Sequence, residues 1–248
     1  MYKLILVSWL LLSVAYGETI YIALAANMGE AIKALVTKFE QQYPQIHVKY
    51  TIGGSGKLAT QIANGAPFDL FLSANMDYPK KLYEEGHTVG VPIVYAQGTL
   101  VLFSIKPKEM KKHLQLLTSP SVSHIAIANP KTAPYGVAAV EALKNTKLYN
   151  TLYSKLVYGE SIAQTLTYVL HGADVGIVAK SSLFSPQMKH FKEGVNWIDV
   201  PTKLHTPISQ GMVLLKRATN HSQAKLFFTF MQSTDAKKIL TQYGYHVL

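Results

Sequence analysis

The chain has 248 residues, 48% of them hydrophobic and 15% charged, which excludes disorder as the default state and suffices for one or two buried cores. It has no cysteine, so neither a disulfide framework nor a lipid-modified cysteine behind a leader is available. A formal charge of +10 favours the approach of anions, but Arg217 is the only arginine among 24 basic residues, and arginine forks are what phosphate and base recognition favour; nucleic acid is not expected as a partner.

The first element is an export signal over residues 1–17. Lys3 supplies the positive start and residues 4–14 an apolar run too short to span a bilayer. Ala15-Tyr16-Gly17 then gives an A-x-A-like cleavage site, which places the mature N-terminus at Glu18 and the protein in the periplasm.

From there the chain repeats one unit: a short apolar run, a turn rich in Gly, Asn, Ser or Pro, and an amphipathic helix. The first unit is a strand over 19–24, the turn Ala25-Ala26-Asn27, and a helix with Ile32, Leu35, Val36 and Phe39 on one face. The second is a strand over 46–51, the turn Gly53-Gly54-Ser55-Gly56, and a helix carrying Leu58 and Ile62. A third strand over 68–73 precedes a helix over 78–85. Such alternation builds a parallel sheet covered on both faces.

A second series starts near Thr99, with strands over 100–103 and 125–128. The turn over 129–136 opens a helix with Val140 and Leu143. Another helix begins at Glu160-Ser161, with Ile162, Leu166 and Leu170 as its stripe, and 175–179 is a further buried strand. A proline-containing connector over 201–209 leads to a last strand over 212–215 and two closing helices. The reading is α/β with two lobes, each a mostly parallel sheet flanked by helices, crossed twice by the chain. Lobe 1 takes residues 18–98 and 206–248, and lobe 2 takes 99–205. A single doubly wound sheet is the alternative.

In open α/β sheets, ligands sit beyond the carboxyl ends of strands, where helix N-termini point. Four loops qualify: 25–27, 53–57, 132–136 and 159–162. Each offers unpaired N–H groups and partial positive charge at a helix start, a combination suited to an oxyanion. Each also has an ordinary explanation: Asn27, Ser55 and Ser161 suit helix caps, and Tyr135 suits a buried ring. Two such loops in each half favour a cleft.

Enzyme motifs fail on the same residues. Gly53-Gly54-Ser55-Gly56 is followed by Lys57, whereas a nucleophile elbow needs G-x-S-x-G. Leu58 stands where a P-loop needs Ser or Thr, and the dinucleotide spacing is also absent. The nine histidines are scattered without metal-ligand spacing. The chain is not expected to be an enzyme; a secreted hydrolase using Ser55 remains the alternative from that class.

The whole mature chain resembles the periplasmic molybdate-binding proteins of ABC transporters. The resemblance rests on Ala25-Ala26-Asn27-Met28, Gly53-Gly54-Ser55-Gly56-Lys57-Leu58-Ala59, and the run from Gly65-Ala66-Pro67-Phe68-Asp69 to Leu72-Ser73-Ala74. It continues through Ala128-Asn129-Pro130-Lys131-Thr132-Ala133-Pro134-Tyr135-Gly136, Gly159-Glu160-Ser161-Ile162-Ala163-Gln164 and Tyr243-Gly244-Tyr245. It implies a monomeric two-lobed protein without cofactor that closes on molybdate or tungstate and delivers it to a membrane permease. It also implies a ligand shell of Asn27 and Ser55 from lobe 1, Tyr135 and Ile162 from lobe 2, and Ala26 as an extra contact. Asn27 would give its backbone N–H and its amide, Ser55 its hydroxyl and N–H, and Tyr135 and Ile162 their N–H groups. Many family members carry a tyrosine where Ala179 stands, so this chain resembles a subtype.

Such a site suits a tetrahedral dianion, because each hydrogen bond to a charged group contributes about 1.5–3 kcal/mol against desolvation. Hydrogen phosphate carries a proton and needs an acceptor, which only Glu160 could supply from these loops. Sulfate differs from molybdate mainly in size, so other oxyanions stay open.

Overall fold

The computed structural model describes residues 18–247; the expected export signal lies outside them. The chain forms two five-stranded mixed sheets, each with helices packed on it. In chain order the first half runs β1 (Glu18–Ala25), α1 (Ala31–Gln42), β2 (Ile46–Gly53), α2 (Ser55–Ala63), β3 (Leu70–Ser73), α3 (Asp77–Glu84) and β4 (Thr88–Gly98). The second sheet is built from β5 (Leu100–Phe103), β6 (Ile125–Ala128), β7 (Leu156–Gly159), β8 (Val175–Ala179) and β9 (Trp197–Asp199). Its helices are α4 (Pro134–Asn145), α5 (Tyr149–Leu152) and α6 (Ile162–His171). The chain then returns as β10 (Ile208–Leu215), α7 (Ser222–Phe230) and α8 (Thr234–Gln242).

The sheet orders are β2-β1-β3-β10-β4 and β7-β6-β8-β5-β9. The two-lobed α/β architecture with mostly parallel sheets is the expected one; in each sheet one strand, β10 or β5, runs against the other four and makes the sheet mixed. β1 pairs in parallel with β2 and β3, while β10 pairs antiparallel with β3 and β4. In the second sheet β6 pairs in parallel with β7 and β8, while β5 pairs antiparallel with β8 and β9. The cause is the crossing chain: β4 leaves the first sheet and β10 re-enters it, side by side and in opposite directions, with Ile208 opposite Gly98.

Side-chain alternation explains why each sheet sits between two layers. Ile20, Ile22 and Leu24 face one core with Leu70, Leu72 and Met212, while Ala23, Phe71 and Val213 face another with Leu58 and Ile62. In α1 the buried stripe is Ile32, Leu35 and Phe39. Phe39 meets the returning α7 through Phe227, edge-on at 5.0 Å, and Phe230 at 5.4 Å, so the last helices complete the first core. The second lobe repeats the pattern: Leu100, Leu102, Ile125 and Ile127 line one core, and Val101, Phe103 and Ala126 the other.

Candidate functional site

Strand register sets the site. Ala25 lies opposite Gly53 at the carboxyl ends of β1 and β2, and Ala128 lies opposite Gly159 at those of β6 and β7. Two loops therefore leave each sheet at one level. Those loops face each other across the lobes and touch: Gly56 N–H donates to Thr132 O at 3.0 Å, and the Tyr78 hydroxyl donates to Lys131 O at 3.5 Å.

Between them is a pocket lined by Ala25, Ala26, Asn27, Ser55, Tyr135 and Ile162, together with Gly53, Gly54, Ala74, Ala133 and Pro134. All five residues singled out from the sequence thus meet at one place. It is a small cavity, of about 10 Å³. Among the described residues, no Asp, Glu, Lys, Arg or His lines it. Larger grooves, of about 600 Å³ along Pro107 to Ser121 and about 360 Å³ between α3 and α4, are lined by charges of both signs.

Ser55 occupies the first position of α2, where an N–H has no partner within the helix. The cap position belongs to Gly54, so the Ser55 side chain caps nothing. Its Oγ accepts from Ala74 N–H at 3.0 Å, an arrangement that leaves the hydroxyl proton for a ligand. Tyr135 follows Pro134, which opens α4 with its fixed backbone angle. The next two N–H groups, of Gly136 and Val137, both turn back to Ala133 O, and Tyr135 lines the pocket.

Ile162 opens α6. Its entry is fixed by a Ser161 cap that accepts from Gln164 N–H at 3.2 Å, while Gln164 Oε1 accepts from Glu160 N–H at 2.6 Å. This is a capping-box variant, so Ser161 is a cap, as its ordinary reading had it. Glu160 is exposed and absent from the pocket lining.

The loop at Asn27 differs from expectation. It forms a separate 3-10 turn, Ala26–Met28, and α1 begins only at Ala31 behind Glu30. Asn27 therefore caps no helix. Its amide nitrogen is committed behind the pocket: Nδ2 donates to Gln210 Oε1 at 2.7 Å and to the Tyr245 hydroxyl at 2.8 Å, while Oδ1 is buried without a partner among the described residues.

Behind Asn27 lies a tyrosine cluster. Burial, with further contributions from neighbouring tyrosines, raises Tyr95 and Tyr135 well above the usual phenol value. Burial also raises Tyr245, against the lowering effect of hydrogen bonds with Ser181 and Asn27. The cluster is neutral and gives the pocket no negative neighbour. Sequence reading missed Ala74, Ser181, Gln210 and Tyr245; Ala74 and Tyr245 stood within matched motifs, but no local spacing assigned them a role.

The model for bacterial extracellular solute-binding proteins matches residues 20–246. The molybdate-binding protein ModA of Rhodobacter capsulatus is 41% identical over 244 residues, covering 98% of this chain and 93% of that protein. Among solved structures, the periplasmic molybdate-binding protein of Azotobacter vinelandii superposes with a TM-score of 0.85 at 30% identity, over 92% of this chain and 99% of that one. The sulfate-binding protein SubI of Mycobacterium tuberculosis H37Rv has a TM-score of 0.75 at 15% identity, over 93% of this chain and 87% of that one, a likeness of fold alone. A whole-length family match, a close relative and a superposed fold agree with the two-lobed pocket, and the chain belongs to the bacterial extracellular solute-binding protein family.

Proposed function

We propose that the protein captures molybdate or tungstate outside the cytoplasmic membrane, in the periplasm, and hands it to the permease of an ABC transporter. The observation that carries the reading is the meeting of three α-helix starts and a 3-10 turn, from both sheets, at one pocket free of charged side chains. Helix starts stabilise negative charge through their free N–H groups and the helix dipole. Ser55 adds a hydroxyl proton, and Asn27, Ala26, Tyr135 and Ile162 add N–H groups. Lobe 1 (18–98 with 206–248) and lobe 2 (99–205) would close on the anion as a pair about the two crossings. The names of the relatives above support molybdate as the anion.

Among the described residues the lining holds no carboxylate to accept the proton of hydrogen phosphate, and Asn27 Oδ1, buried without a partner, is the side-chain amide acceptor it does hold. Sulfate has molybdate's charge and shape and is distinguished by size. Calorimetric titration with molybdate, tungstate, sulfate and phosphate tests the reading. Tight saturable binding of the first two with little response to the others is expected; equal affinity for sulfate would end the claim of specificity.

A further inference from the structure

The Asn27 turn is held from behind by a buried hydrogen-bond network, and one member of that network comes from the other lobe. The Asn27 carbonyl accepts two hydrogen bonds, from the Tyr245 hydroxyl at 2.9 Å and from Ser181 Oγ at 2.9 Å. Gln210, which accepts from the Asn27 amide, donates in turn to Ala74 O at 3.3 Å and Ile208 O at 3.0 Å. Ala74 N–H is the group that donates to Ser55 Oγ. The Asn27 and Ser55 loops are thereby linked through a side chain on the returning strand β10. Ser181 alone among these residues belongs to the second lobe. It is 3% exposed and lies in the 3-10 turn Lys180–Phe184 that follows β8. That turn is anchored at the first crossing, where Lys180 N–H donates to Thr99 O at 2.9 Å, and again by Lys180 Nζ on Asp199 at 2.8 Å.

We infer that Ser181 is a positioning residue for anion binding, carrying the approach of the second lobe to the Asn27 turn of the first. Ser181 is not among the residues lining the pocket, so it acts through Asn27. In a helical turn the carbonyls point away from the free N–H groups. Two donors on the Asn27 carbonyl therefore hold the turn with its N–H groups toward the pocket. One of the two, Tyr245, belongs to the first lobe; the other, Ser181, comes from the turn that follows β8 of the second lobe at the first crossing. Lobe closure and order of the ligand turn thus reinforce one another, and the anion benefits from both.

This inference rests on the anion-capture reading, and the test separates the two. Wild-type protein, Ser181→Ala and Ser181→Thr are titrated with sodium molybdate, association and dissociation rates are measured, and melting is followed with and without the anion. Ser181→Ala should bind about three- to tenfold more weakly, the effect of one hydrogen bond, through faster dissociation. Its association rate and ligand-free melting temperature should be unchanged, and Ser181→Thr, which keeps the hydroxyl, should restore binding. If Ser181→Ala binds as wild type does, or if it lowers the melting temperature equally with and without molybdate, the positioning role is overturned and the functional reading stands. If wild-type protein ignores molybdate, both fall.

Discussion

The Tyr135 hydroxyl, on the second lobe, rests where a side chain on Gly98 of the first lobe would begin. A Cβ built on Gly98 overlaps Tyr135 Oη and comes within 3.0 Å of Gln210 Nε2. Gly98 ends β4 immediately before the first crossing, so the residue that turns the chain toward the second lobe is also the one that makes room for its tyrosine. Gly98→Ala should therefore oppose closure. The expected result is about five- to 150-fold weaker molybdate binding, in keeping with an overpacking cost of about 1–3 kcal/mol. The loss should show more in the melting temperature of the liganded protein than of the free protein, because an open form relieves the clash.

Ser55→Ala removes both the proposed ligand donor and the acceptor of Ala74 N–H. Deleting a donor to a charged group costs about 1–3 kcal/mol, so the titration curve for molybdate should shift by one to two orders of magnitude. An unchanged curve would reduce Ser55 to a turn residue.

Phe39 is fully buried where α1 meets Phe227 and Phe230. Phe39→Ala should cost about 3–5 kcal/mol of stability through lost burial and the cavity left behind. In urea the midpoint should fall at constant slope, the sign of lost stability rather than a changed unfolded state.

The tyrosine cluster behind the pocket predicts an alkaline limit. Tyr95, Tyr135 and Tyr245 have phenol values raised in the folded chain above an unfolded value near 10.0. Below pH 10 both states keep the protons and nothing is lost. Above it the unfolded chain releases protons that the folded one retains, so stability falls as pH rises. Tyr95 Oη also has no hydrogen-bond partner among the described residues. Tyr95→Phe should therefore be neutral or stabilising at pH 8 and should shallow the decline of the urea midpoint between pH 10 and 11. A steeper decline in the variant would contradict this account.

What the sequence made legible follows from what local pattern can carry. The alternation of Ile20, Ile22 and Leu24 with Ala23 marks a strand buried on both faces, and the spacing of Ile32, Leu35 and Phe39 marks a helix. β4 was not legible, because Gly90 at φ +80° and Pro92 interrupt its pattern; an edge strand tolerates both, since its outer side needs no partner. β9 has only three residues, too few to show a period. The mixed pairing was hidden because strand direction depends on where a connection crosses. At the site, backbone donors need only a helix start in the right place: turn chemistry announces the loops over 53–57, 132–136 and 159–162, and the family resemblance singles out Ser55, Tyr135 and Ile162 within them. The partners of Asn27 lie 154 to 218 residues away in the chain, beyond any local spacing.

The position of β10 between β3 and β4 has a consequence for the order of assembly. The strands of the second sheet all lie between Leu100 and Asp199, so a chain emerging from its amino end holds that whole sheet early. The first sheet must wait for a strand that begins at Ile208 and for helices that end at Gln242. Contacts between such distant segments are the slow kind to form. The half that begins first therefore finishes last, and an early stop before Ile208 would leave β3 and β4 with bare edges while sparing every strand of the other half.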